Sequence, residues 1–196
     1  MTRSKKSMIK TKKKSAIKKA KPMARKKIAV KRKTKKVLSI PKGYHSITPY
    51  LIVHQAASAI EFYKKAFGAK EKARIEQPTG KIGHAELQVG DSKIMLADAG
   101  VKPNTRSPRD FGGSSVGIHF YVKNVDEIIN RAVKAGAKLL RNVETMFYGD
   151  RSGGVQDPFG HVWYVATHIE DVSMAEMKKR MATMTHTHGD TCSHSE

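Results

Sequence analysis

Apolar and polar side chains alternate one for one along Ile82-Gly83-His84-Ala85-Glu86-Leu87-Gln88-Val89. A period of two is that of a strand, so His84, Glu86 and Gln88 share one face and Ala85, Leu87 and Val89 the other. The pattern predicts strands at 47–53, 69–77, 81–89 and 93–97. Between the first two, Ile60, Phe62, Tyr63, Ala66 and Phe67 recur at helical intervals across 56–67, and Gly68 supplies a stop. The order then starts afresh. A strand at 116–122 leads into a helical stripe of Val125, Ile128, Ile129, Ala132 and Val133, opened by Asn124 with Glu127 three positions on and ended by Gly136. Strands at 138–143, 147–156 and 162–167 complete the second set. Residues 39–46 and 99–114, punctuated by Pro and Gly, read as linkers. Ser173 and Glu176 open a short helix at 173–184, whose Met174, Met177 and Met181 stripe suits packing on the body or on a partner subunit.

The two sets are related by a fixed spacing. An offset of 69 residues pairs Leu51 with Phe120, Val53 with Val122, Ile60 with Ile129, and Ile94-Met95-Leu96 with Trp163-Tyr164-Val165. Such a repeat outweighs any single-residue motif. The expected fold class is α+β, with two tandem βαβββ modules, 44–99 and 115–168, forming a concave mixed sheet in a domain over 44–172. A βαβββ unit covers one sheet face with its helix and leaves the other open; two open faces together make a natural ligand cavity. The stretch 147–165 organises the second copy. A turn-rich arm from Tyr148 to Gly154 precedes Asp157-Pro158-Phe159-Gly160, where Pro158 presets φ and Gly160 permits a positive one.

The charge is spread unevenly along the chain. The net +21 is concentrated in residues 1–36, with 15 Lys, 3 Arg and no acidic residue, leaving 20 basic against 17 acidic residues elsewhere. Such a segment cannot bury enough apolar surface to offset its ordering entropy, so 1–43 is expected to be a disordered basic tail and linker. It suits non-specific nucleic acid, with salt-sensitive affinity, and lacks aromatics on which bases could stack. A solubilising tail and a targeting segment are the alternatives, the second disfavoured by the excess of Lys over Arg. Cys192 is the one cysteine, so no disulfide framework is expected, and no apolar run reaches membrane-spanning length. The expected location is the cytoplasm. A second disordered tail is expected at 185–196, where His186, His188, Cys192 and His194 could take up Zn, Ni or Cu adventitiously.

Four segments carry a resemblance: Ile47-Thr48-Pro49-Tyr50-Leu51-Ile52-Val53, Phe62-Tyr63-Lys64-Lys65-Ala66-Phe67-Gly68-Ala69, Met95-Leu96-Ala97-Asp98, and Phe147-Tyr148-Gly149-Asp150-Arg151-Ser152-Gly153 through Asp157-Pro158-Phe159-Gly160-His161. In these the chain resembles the vicinal oxygen chelate superfamily of glyoxalase I, bleomycin-resistance proteins and extradiol dioxygenases. It looks most like the PhnB-like bacterial branch. The resemblance covers residues 44–172 and implies the two-module fold and a homodimer. In the family's metal enzymes it implies one ligand on the first and one on the fourth strand of each module, usually His, Glu or Gln. Carried onto this chain, those positions are Thr48, Met95, Gly117 and Tyr164, paired by the same 69-residue offset. None offers a carboxylate or an imidazole, so neither a metal nor another cofactor is expected.

Candidate chemistry lies on the open faces. Alternation places Thr48, Tyr50 and Ile52 on one and Gly117, His119 and Tyr121 on the other. The expected ligand-binding residues are Thr48, Tyr50, His119, Tyr121, Tyr148, Arg151 and Tyr164, with Arg151 as a clamp on an anionic group at the cavity mouth. The rival for Arg151 is a turn-fixing pair with Asp150. Trp163 is expected beneath a helix, and His161, after a turn glycine, in solvent. His84, Glu86 and His119 are acid–base candidates, or an alternative metal set, if they converge; otherwise they are solvated strand residues. Three readings result: a small-molecule-binding protein lacking the glyoxalase-type metal site, a lyase, isomerase or transferase using His84, Glu86 and His119, and a protein tethered to nucleic acid by its arm.

Overall fold

The computed structural model describes residues 37–185. The chain divides into Met1–Val37 and Leu38–Glu196, and the architecture belongs to the second unit. Of the two expected tails, 1–43 and 185–196, residues 1–36 and 186–196 lie outside the described residues, and Thr185 is the last residue of a helix.

The first module runs β1 (Tyr50–Val53), α1 (Ala56–Phe67), β2 (Lys70–Glu76), β3 (Ile82–Val89) and β4 (Ser92–Asp98). The second runs β5 (Gly117–Tyr121), α2 (Val125–Lys134), β6 (Lys138–Thr145), β7 (Asp150–Gln156) and β8 (Val162–His168), and α3 (Met174–Thr185) follows. Each module forms a four-stranded mixed sheet in the same order, β1-β4-β3-β2 and β5-β8-β7-β6. The first strand of each is parallel to the fourth, and the other pairings are antiparallel. The protein is α+β, built from two copies of one unit.

The duplication reaches single bonds. The Ala56 N–H at the start of α1 donates to Asp98 Oδ1 at 2.8 Å. Sixty-nine residues on, the Val125 N–H at the start of α2 donates to Thr167 Oγ1 at 2.9 Å. Each helix thereby satisfies one of its orphaned N-terminal donors with a side chain from the end of its module's fourth strand. Asn124 caps α2 through its side chain, which accepts from the Glu127 N–H at 3.2 Å. Gly68, at φ 68°, turns the chain out of α1.

Two local expectations are corrected. β1 begins at Tyr50 rather than at 47, because Pro49 has no N–H for the ladder, although its carbonyl accepts from the Met95 N–H at 2.9 Å. The glycine-rich segment after Gly149 is the strand expected within 147–156, lying between β6 and β8, and not the turn-rich arm also read over Tyr148–Gly154. Gly153 answers crowding: a Cβ there would stand 3.0 Å from Val143 Cγ2 and 3.4 Å from Ile129 Cγ1.

One core spans both modules. Leu51, Val53, Ala85, Leu87, Ile94 and Leu96 are buried in the first sheet, and Val155, Trp163 and Val165 in the second. Trp163 joins them, its ring 4.7 Å from Phe67 and 5.5 Å from Tyr63 of α1. Burying a side chain of this size is worth roughly 1.5–3 kcal/mol, against about 1 kcal/mol for a typical hydrogen bond. The aromatic wedge therefore dominates the junction. Its polar centre is Asp157, which is buried and accepts from Tyr63 Oη at 2.7 Å, Trp163 Nε1 at 2.9 Å, and the Phe159 and His161 amides at 2.9 Å each. His161 is also buried rather than solvated, with Nε2 3.3 Å from the Ile52 carbonyl of the other module.

Candidate functional site

The helices lie behind the sheets, and the register defines what the open faces carry. One row crosses the first sheet as Ala73, Glu86, Met95 and Tyr50. The matching row of the second reads Arg141, Gly154, Tyr164 and His119. The two faces meet at the seam between β1 and β5 in adjoining grooves of about 630 and 580 Å³, which share Ile47, Pro49, Ile118 and His119. The first also takes in Lys93 and Tyr121; the second takes in Tyr50, Arg106, Phe111 and His161.

On the first face His84 lies between two partners, with Nδ1 3.2 Å from Tyr50 Oη and Nε2 3.5 Å from Glu86 Oε1. The other oxygen of Glu86 stands 3.4 Å from Lys93 Nζ, which in turn sits 3.8 Å from the centre of the Tyr44 ring. Hydrogen bonding from Tyr44, with help from Lys93 and His84, lowers the Glu86 pKa, while burial raises that of Tyr50. The group can hold a negative charge at Glu86 and pass a proton between Tyr50 and His84. Thr48 and Met95 line a recess beside it with Glu86 and Lys93.

The second face has a different make-up. Tyr121 Oη donates to the buried Asp150 carboxylate at 2.9 Å, and His168 Nδ1 lies 2.7 Å from its other oxygen. These contacts raise the pKa of Tyr121 and of His168, the latter also through Asp171 at 3.0 Å. The Tyr164 ring lies across Gly117, where a Cβ would fall 2.5 Å from Cε2. The His119 ring lies 4.7 Å from that of Tyr121, tilted by 52°, and not with His84 and Glu86. The three acid–base candidates therefore do not form one cluster; His84 and Glu86 do pair.

Arg151 stands on the helical side of β7, bidentate to Asp126 of α2 at 2.8 and 2.7 Å, and Asp150 faces the opposite way. Neither the cavity-mouth clamp nor the Asp150–Arg151 pair describes it. Strand alternation after Asp150 carries the signal for this. Tyr148 packs edge-on against Phe147 in the turn before β7. The sequence reading passed over Arg141, Lys93 and Tyr44. Arg141 is the residue opposite Gly154 in the register, where the neighbouring strand offers no side chain.

The model of the Glyoxalase/Bleomycin resistance protein/Dioxygenase superfamily matches residues 43–165. The chain belongs to this superfamily. A relative within reach is the uncharacterized protein Mb0911c of Mycobacterium bovis, 41% identical over 143 residues, or 70% of this chain and 93% of the relative. Among solved structures, the At5g48480 product of Arabidopsis thaliana aligns at 28% identity and a TM-score of 0.54, covering 62% of this chain and 98% of the other. A protein from Bacillus cereus named as a putative 3-demethylubiquinone-9 3-methyltransferase, PhnB protein, aligns at 14% identity and a TM-score of 0.51, over 63% of this chain and 99% of that one. The last likeness is one of fold, and it agrees with the PhnB-like resemblance.

Metal-dependent superfamily members raise the question of a divalent ion here. The donors do not fit one. Among the described residues, no three His, Cys, Asp or Glu side chains converge as a set able to hold a metal ion. At the four positions carried over from the resemblance stand a hydroxyl, a thioether, a glycine and a phenol, and the ring of the last fills the space above the third.

Proposed function

We propose that the protein binds a small organic molecule along the joined open faces of its two modules, without a divalent ion. The observation that carries this reading is the pair of grooves at the β1–β5 seam, bordered by Tyr50, His119 and Tyr121. Such a wall offers aromatic surface with a few polar groups, the usual make-up of a small-molecule site. The proposed contacts are Tyr50, His119, Tyr121 and Tyr164, with Thr48 in the adjoining recess. His84 and Glu86 supply the acid–base pair if the bound molecule is also transformed.

The test of metal independence is thermal unfolding with and without Zn²⁺, Ni²⁺ or Mn²⁺, in a full-length variant with His186, His188, Cys192 and His194 replaced. Tight binding to the native state must raise stability by RT ln(1 + [L]/Kd). No metal-dependent rise in midpoint is expected. A rise of several degrees that survives the replacements would refute the reading.

A second reading concerns the arm and coexists with the first. Eighteen basic residues and no acidic one in 36 positions support a tether to nucleic acid. Its location in the cell would follow that of the polyanion.

A further inference from the structure

Arg141 is a partly buried cation on the open face of the second sheet, and no carboxylate among the described residues answers it. Arg74, Arg131, Arg151 and Arg180 each meet an acidic side chain, respectively Glu71, Glu127, Asp126 and Glu170, while Arg106 and Arg109 donate to the backbone carbonyls of Asp110 and Pro158. Arg141 makes no ion pair among the described residues. Its Nη2 donates to the Ser152 hydroxyl at 2.6 Å, its Nη1 lies 4.0 Å from Met146 Sδ, and its guanidinium carbon stands 6.0 Å from the centre of the Tyr164 ring. The Nε is buried and has no acceptor at all. Glu144, opposite Ser152 in the register, is exposed and stays outside ion-pair distance.

Gly154 faces the same side. A Cβ there would stand 3.5 Å from Tyr164 Cδ1 and 3.6 Å from Arg141 Cβ, so its absence leaves a side chain's width between the ring and the root of Arg141. A partly buried guanidinium held only by a neutral hydroxyl and a distant thioether keeps outer Nη donors for a two-oxygen anion. Leaving such a cation unanswered costs free energy that an arriving anion recovers.

We infer that Arg141, with Ser152 and the Tyr164 ring, seats an oxyanion, a carboxylate or phosphoryl group, of the molecule bound on this face. The inference rests on the small-molecule reading and adds its ligand class: a compound with one anionic head and a flat or apolar remainder set against Tyr164. Ser152 orients the fork and Gly154 keeps the approach clear. Arg151, committed to Asp126, takes no part.

The test is a titration of the full-length chain followed by nuclear magnetic resonance at constant ionic strength. The probes are benzoate, inorganic phosphate, neutral benzyl alcohol and, as a control, chloride. Residue-level readout at the Arg141 Nε–H and the Tyr164 ring separates this site from the basic arm. Benzoate or phosphate should shift both resonances saturably, chloride should not, and the preferred anion names the head group. Arg141→Gln should weaken the response about tenfold or more, and Arg141→Lys should recover part of it. If benzyl alcohol perturbs Tyr164 and His119 as strongly as benzoate, in wild type and Arg141→Gln alike, the oxyanion seat falls while the binding face stands. If no probe perturbs either face, both fall. If the Arg141 resonance answers to Glu144→Gln and to no anion, Arg141 serves the β6–β7 hairpin and the inference is overturned.

Discussion

At the scale of single residues, two positions carry more than their size suggests. Gly149 sits at φ 96° before β7, and a Cβ there would fall 2.0 Å from the Glu170 carbonyl oxygen and 2.9 Å from Val172 Cγ2. Gly149→Ala should therefore cost at least about 2 kcal/mol, combining left-handed strain with a backbone clash. Urea unfolding measures this, and a loss within 0.5 kcal/mol, roughly the scatter of neutral surface changes, would show that the Glu170 segment simply moves away. The Asp157 carboxylate is the second such position. Tyr63→Phe removes one of its four donors and should cost roughly 1–3 kcal/mol, since a buried acceptor loses a bond without water to replace it. Burial and this carboxylate both hold the Tyr63 hydroxyl well above the usual phenol range, which favours its role as donor.

At the scale of elements, α3 is fastened by charge more than by packing. Arg180 grips both oxygens of Glu170 at 2.8 and 2.7 Å and also reaches Glu176 at 3.1 Å, while Met174 and Met181 remain exposed. The connection from β8 is held by His168 between Asp150 and Asp171. A histidine whose folded pKa is raised contributes stability that is full below its unfolded value, near 6.5, and is lost as pH climbs through the raised value. Amide exchange over 168–173 should accordingly quicken as pH rises past that window, beyond the intrinsic base-catalysed trend. His168→Asn should abolish the extra dependence; an unchanged pH profile in that variant would remove His168 from the role. No part of this strap was read from the sequence: His168–Asp150 and Arg180–Glu170 are 18 and 10 residues apart, with no periodicity to announce them, and the local pairs His168–Asp171 and Glu176–Arg180 signal nothing by themselves. What periodicity could announce came through well. The alternation of His84, Glu86 and Gln88 and the stripes of α1 and α2 describe local facing, which the covalent chain itself dictates. Arg151 was misplaced for the complementary reason: its face depends on where β7 starts, and three glycines in the segment blur that phase.

At the scale of the whole molecule, the two modules share one core, so they should unfold as a unit. Denaturation followed by Trp163 fluorescence and by far-ultraviolet circular dichroism should give coincident transitions. Separate midpoints would mean that the Trp163–Phe67 contact joins the halves less firmly than its burial implies. The arm belongs to a different account. Binding of the full chain to duplex DNA should weaken steeply with salt, by a slope of about 0.9 in log–log terms for each phosphate neutralised, and removal of residues 1–36 should erase it. Retention of the slope by the shortened chain would transfer the interaction to the body. One asymmetry of the duplicated unit reaches further. Corresponding rows cross the two sheets, yet Glu86 occupies one and an arginine facing glycine the other. Matching scaffolds thus carry opposite poles, so an anionic guest of the kind proposed would have a head end and a tail end over the seam, and its mirror placement would meet a carboxylate.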